Sequence, residues 1–281
     1  MSLTLDLSAQ DLGACTEHSG FLRDDGEPAM MLHVTLPGAG ARMSPRGVVF
    51  CHPLSTEKQY SARSLVLMAR SFAAAGVPCV RHDSIGTGDS EGTSADLRVE
   101  GLVRDALRAA AVLRQQSGVT DLVFIGVLLG ATVARMAAAQ ETGGRAAAVL
   151  IDPVTDGKAW WQQLLKQQQM SFMTRGQAVP KLETLAAGDA TGLVEIKAEH
   201  YHPEFIAGLA ALDATTLNAG PVGPLLQVRH VAQATSGAAP ADADTWEVAG
   251  ANFWNDKSLY GGQWPAPLAA RLLEWIRGLD A

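Results

Sequence analysis

The residues that could do chemistry in this chain stand where apolar runs stop. Leu122-Val123-Phe124-Ile125 is short, apolar and partly β-branched, the composition of a buried strand. It leads into Gly126-Val127-Leu128-Leu129-Gly130, and residues 131–140 then read as a helix opened by small side chains. A strand that turns sharply into a helix between two glycines holds its central residue strained and projecting, which is how many enzymes present a serine nucleophile. Here the central residue is Leu128, and a leucine cannot attack a carbonyl. Other candidates sit at comparable strand ends: Cys51-His52 with Ser55 beyond, His82-Asp83-Ser84, Asp152 and His230. The carboxyl ends of strands are where pocket residues collect in open α/β sheets.

Most of these residues also have a purely structural reading. Cys51 is a tempting replacement nucleophile because His52 follows it. Neighbouring strand residues point to opposite faces, however, so the thiol is expected to be a small buried hydrophobe. Ser55 and Ser84 fall on loops and are expected to close a turn or cap a helix. His82 and Asp83 are expected to share a hydrogen bond that holds their loop, and His230 is placed to face a ligand. His200 and His202 lie two apart with no third ligand in view. They read as surface histidines, and neither a metal nor a cofactor is expected.

The elements that must position these groups alternate in type. Residues 3–35 read as short antiparallel strands at one sheet edge, and 36–46 as a glycine- and proline-rich connection. Strands are expected at 47–51, 77–80, 122–125, 147–151, 224–230 and 245–249, and helices at 60–75, 97–115, 131–140 and 266–279. That alternation predicts βαβ units and a mostly parallel sheet with helices on both faces. The pattern breaks at 157–218. There a helix over 157–173 carries Trp160, Trp161, Leu164, Leu165 and Met170 on its apolar side, and mixed sequence follows. This segment is expected to be a helical cap inserted into a core made of 1–156 and 219–281, with Trp160 reaching a ligand.

Composition narrows the function. Of 281 residues, 47% are hydrophobic and 18% charged, which supports a large core and excludes disorder. A net charge of −7 without a lysine or arginine block argues against nucleic acid or an anionic membrane as partner. Cys15, Cys51 and Cys79 suit neither a disulfide framework nor a zinc site. The first residues lack the basic and apolar regions of a signal peptide, and no run is long and apolar enough for a membrane span. A soluble, cytoplasmic protein with a small-molecule ligand is the expectation, and a homodimer is left open.

Four segments together resemble the α/β-hydrolase superfamily across nearly the whole chain. Cys51-His52-Pro53 is similar to its oxyanion-hole loop. Asp83-Ser84-Ile85-Gly86-Thr87-Gly88-Asp89-Ser90-Glu91-Gly92 is similar to its D-x-R-G-x-G-x-S-x-G loop, with Ser84-Ile85 at x-Arg. Gly126 to Gly130 resembles its nucleophile elbow, and Gly250-Ala251-Asn252-Phe253-Trp254 its G-x-H-F. The stretch from His52 through Glu57-Lys58, with Ile151-Asp152-Pro153-Val154 and the tryptophan-rich insertion, is similar to bacterial exosortase-system-associated hydrolase-like proteins.

The resemblance implies a Ser–Asp–His order whose slots fall on Leu128, on Asp152 (or Asp242 or Asp244) and on Asn252. Neither a leucine nor an asparagine can do the work of its slot. The oxyanion hole that the fold implies uses backbone N–H groups, here those of Leu129 and Leu54, since Pro53 has none. The leading expectation is a hydrolase-like protein binding a partly apolar, carbonyl-containing molecule near His52, Leu54, Leu128, Leu129, Trp160, His230 and Asn252. It would act on that molecule by non-nucleophilic isomerisation or cyclisation. Two other readings stay open. One is an esterase or thioesterase with a displaced nucleophile, Cys51 or Ser84, and His230 or His82 as base. The other is a non-catalytic interaction protein.

Overall fold

The computed structural model describes residues 4–24, 26–220, 223–231, 240, 242–249, 252–254 and 264–279. The chain opens with three antiparallel strands, β1 (Thr4–Asp11), β2 (Cys15–Asp24) and β3 (Glu27–Pro37). Then β4 (Arg46–Cys51), α1 (Ser55–Ala74), β5 (Cys79–His82), α2 (Val99–Ser117), β6 (Asp121–Val127), α3 (Leu129–Gln140) and β7 (Ala146–Ile151) follow in alternation. These match the sequence expectation to within a residue or two, except that α1 starts a turn and more earlier. Its first turn, Ser55-Thr56-Glu57-Lys58, has no apolar residue to mark it, but Glu57 complements the helix dipole there.

Residues 157–218 hold α4 (Gly157–Thr174), α5 (Leu182–Ala187), a hairpin of β8 (Val194–Ile196) and β9 (Glu199–Tyr201), α6 (Pro203–Ala210) and α7 (Ala214–Asn218). This segment is mostly helical, with a small antiparallel hairpin that the sequence does not predict. The core resumes with β10 (Leu225–His230), β11 (Ala243–Val248) and α8 (Ala266–Gly278).

One nine-stranded sheet runs β1-β2-β3-β5-β4-β6-β7-β10-β11, and all neighbours from β5 to β11 are parallel. Helices cover both faces, so β4, β5 and β6 are buried at every residue, as two-sided burial of a parallel sheet requires. Leu65, Met68 and Phe72 of α1 and Leu272 and Ile276 of α8 pack on one face. Ala106, Ala109 and Leu113 of α2 and Ala134 and Ala137 of α3 pack on the other. The carboxyl ends of β4, β5, β6, β7 and β10 thus gather at one edge. Among the described residues, no helix is long and apolar enough to cross a membrane.

Candidate functional site

The turn between β6 and α3 has the geometry its glycines suggest. Leu128 stands at φ 53°, ψ −121°, a conformation that costs a non-glycine residue of order 1–3 kcal/mol. The glycines on either side are obligatory. A Cβ on Gly126 would lie 2.0 Å from the Gly130 carbonyl oxygen, and one on Gly130 would lie 2.3 Å from the Cys51 oxygen. The turn is tied to the next strand by the Leu128 N–H donating to the Ile151 carbonyl (3.0 Å), and by the Val154 N–H donating to the Leu128 carbonyl (3.4 Å). The Leu128 side chain is half-buried and packs against the apolar layers on both faces of the sheet.

Next to this turn, the structure brings together two candidates that lie 78 residues apart. His230 Nδ1 is 2.8 Å from Asp152 Oδ2, and the His230 backbone N–H donates to Asp152 Oδ1 over 3.0 Å. Both side chains are nearly inaccessible, at 3% and 2%. A carboxylate oxygen facing a ring nitrogen is satisfied when that nitrogen carries the hydrogen, so the contact suits an Nδ1–H donating to Asp152. The His230 ring also meets the Trp254 ring edge-on, with centroids 4.7 Å apart. Asp152 itself has φ 44°, so two strained residues end adjacent strands at the same level.

Of the three acid candidates, only Asp152 meets a histidine. Asp242 and Asp244 are exposed, and Asp244 pairs with Leu226 at the start of β11, away from the strands' carboxyl ends. Asn252 is half-buried with Oδ1 unpartnered among the described residues, and its neighbour Trp254 is the residue that touches His230. Gly250 and Ala251, the start of the matching motif, lie outside the described residues, as do residues 232–239. Leu129 is buried at the first position of α3, where no helical carbonyl can take its N–H.

A cavity of about 330 Å³ opens beside this site, between the β4 and β5 ends, α1, the loop after β5 and the β9 hairpin. It takes in His52 and Leu54 from the expected set. Leu128, Leu129, Trp160, His230 and Asn252 are not among its lining. The aromatic on its wall is Tyr201, not Trp160, which sits half-buried at the edge of the core.

His33 and Tyr201 line the cavity without having been singled out from the sequence, and Lys58 enters there only through the family resemblance. Lys58 Nζ is 2.7 Å from Asp83 Oδ1 and donates to Thr87 Oγ1 over 3.0 Å. Burial pushes the Asp83 carboxyl up. The Lys58 ammonium, with its hydrogen bond and that of the Asp89 amide, outweighs this and carries it below the usual carboxylate range. Asp83 therefore bonds to Lys58 and not to His82, correcting the expected pair: the two adjacent side chains diverge. His82 is pushed down to about 4 by burial. His52 is held well below the usual imidazole range by burial and then by Lys58, Arg81 and His82.

Ser55 is no helix cap. It takes φ 54° as the first residue of α1 with no side-chain cap bond at that end, and it lines the cavity beside Tyr201, whose hydroxyl donates to Glu199. Ser84 does close a turn, its carbonyl accepting from the Thr87 N–H over 2.9 Å. Cys51 is 2% exposed and burial pushes its thiol up to about 12, so it supplies no thiolate. His200 is exposed, and His202 caps α6 by accepting from the Glu204 N–H. The run Arg81-His82-Asp83 at a strand end was the available sequence signal for this cavity.

No protein-family model matches the sequence, and no curated protein does. Solved structures do. Ferulic-acid-bound Est1E from Butyrivibrio proteoclasticus superposes with a TM-score of 0.65 at 14% identity, over 92% of this chain and 98% of that one. Mouse alpha/beta hydrolase domain-containing protein 10 gives 0.58 at 17% identity, over 93% and 99%. Acetyl xylan esterase 1 from Thermoanaerobacterium gives 0.58 at 14%, over 98% and 87%. With the sheet order, the two covered faces and the strained turn at Leu128, these likenesses make the chain an α/β-hydrolase-fold protein.

Proposed function

We propose that the protein hydrolyses a small ester or thioester, with His230 as general base and without an acyl-enzyme at the elbow. The observation that carries this reading is the buried Asp152–His230 pair, whose contact through Nδ1 would leave Nε2 to accept a proton. The fold neighbours named as esterases support the reaction class. In the displaced-nucleophile reading, Cys51 is set aside by its burial and raised thiol, His82 is too weak a base, and the Ser84 hydroxyl meets no base among the described residues, which leaves His230.

In this reading water attacks the substrate carbonyl carbon while Nε2 takes its proton. The amides of Leu129 and Leu54 hold the oxyanion. Collapse breaks the bond to the alkoxide or thiolate, which recovers the proton from Nε2. The insertion at 157–218 serves as the cap that limits water. The nearer kinship with exosortase-associated proteins belongs to the same proposal.

The test is turnover of p-nitrophenyl acetate and a short acyl thioester by wild type and His230→Gln. General-base catalysis contributes roughly 10²–10⁴-fold, so the variant should lose most of any enzyme-dependent rate, and a fluorophosphonate should label neither protein. Wild-type labelling would restore a covalent nucleophile. A rate unchanged in His230→Gln would remove the base. A second reading, non-nucleophilic isomerisation or cyclisation, is favoured by Leu128 itself, which denies a nucleophile at the elbow while the amides remain. It gains if no ester or thioester is turned over.

A further inference from the structure

Arg81, on β5, is 6% exposed, lines the 330 Å³ cavity and is short of a carboxylate. Its one ion-pair partner among the described residues is Glu17, with NH2 3.5 Å from Oε1. That carboxylate already accepts two hydrogen bonds from Arg70, at 3.2 and 3.3 Å. Arg81 Nε has no hydrogen-bond partner among the described residues. Of the other carboxylates on the cavity wall, Asp83 attracts Arg81 through space but is bonded to Lys58, and Glu199 is bonded to Tyr201. A guanidinium buried without full pairing is costly, and removing it from water is repaid only by good hydrogen-bonded partners.

The surroundings agree. His33 and His52 also line the cavity, and both rings are held below the usual imidazole range, by burial first and then by cations that include Arg81. His52 Nδ1 is unpartnered among the described residues. Leu54, Ala62 and Leu97 add an apolar wall. The volume is at the lower end of small-molecule pockets.

We infer that this cavity is a binding site for a small carboxylate-bearing molecule, its carboxylate set against Arg81 and its carbon skeleton against the apolar wall. The planar fork of a guanidinium matches a carboxylate, which completes the pairing that Glu17 leaves unfinished. The cavity shares His52 and Leu54 with the loop after β4 but is not lined by Asp152 or His230, and it does not rest on the reading of that pair, since occupancy is measured without turnover.

The experiment titrates folded wild type with butyrate, 3-hydroxybutyrate and benzoate, each beside its primary amide, by calorimetry and ligand-observed NMR. At least one carboxylate should bind tenfold or more tighter than its amide, about 1.4 kcal/mol. Arg81→Gln should abolish that preference. Ala62→Phe, which fills the cavity from α1 and leaves every charge in place, should abolish binding. Equal binding of acid and amide by wild type, or a preference that survives Arg81→Gln, overturns the site. Should Arg81→Gln fail to fold, binding undiminished in folded Ala62→Phe overturns it as well. Inorganic phosphate binding as tightly as the best carboxylate would overturn the assigned ligand class.

Discussion

Asp152 offers the sharpest test, because its two oxygens do separable work. One accepts the His230 N–H at 3.0 Å and the other faces Nδ1 at 2.8 Å, both away from water. Asp152→Ala would leave both donors unsatisfied in a site 2% exposed and would put alanine at φ 44°. Breaking a buried pair from one side costs about 3–5 kcal/mol, so the urea midpoint should fall far, with the slope unchanged. Asp152→Asn behaves differently. Asparagine tolerates positive φ, its oxygen can still accept the His230 N–H, and its amide NH2 can donate to Nδ1. That arrangement forces the proton onto Nε2. The loss of stability should be only about 1 kcal/mol, the scale of one net hydrogen bond. The base is nevertheless gone, and hydrolysis should fall by about 10⁴, as when a triad aspartate becomes asparagine. Nitrogen-15 NMR of the His230 ring reads the tautomer directly. Equal stability losses in the two variants, or an Nδ1–H tautomer surviving in Asp152→Asn, would refute the reasoning.

Three further outcomes follow from the same geometry. Leu128→Ser should fold with a change within about 2 kcal/mol, since the leucine is only half-buried and the turn strain is unchanged. It should become slowly reactive to a fluorophosphonate, and a folded but unreactive variant would show that Nε2 does not reach the elbow. Stability should fall between about pH 6.5 and 4. His82 is held near 4 in the fold but titrates near 6.5 when unfolded, so the unfolded chain binds the extra protons. A flat urea midpoint from pH 7 to 5, or the same slope in His82→Gln, would contradict this. Cys51, at 2% exposure and with its thiol near 12, should resist a disulfide reagent in the native protein until urea unfolds it. Native-state labelling at Cys51 would count against its burial.

What the sequence made legible was whatever is local and strongly constrained. The glycines at 126 and 130 are read correctly because backbone atoms occupy the places where their Cβ atoms would go. The parallel strands are read correctly because burial on both faces leaves an unbroken apolar run. The β8–β9 hairpin was illegible. Three-residue strands carry no periodicity, and its turn is built on Lys197 and Ala198 at positive φ, where asparagine or glycine would have been the signal. The Asp152–His230 pair was illegible for another reason. Each residue stands at a strand end in the sequence, but only the adjacency of β7 and β10 joins them. Arg81 likewise needs β2 and α1 beside it before its shortage of carboxylate appears.

The elbow carries strain whose usual justification is a serine, and here that serine is missing. Leu128 stands at φ 53° with no nucleophilic side chain to display, and the two glycines admit the tight crossing over Cys51 and His52. The turn does more than display a side chain. It frees the Leu129 amide, sets the Leu128 carbonyl to accept from Val154, and aligns the end of β6 with that of β7, where Asp152 starts. Relaxing it would shift Asp152, and with it His230. The strained turn and the buried pair are therefore one mechanical unit.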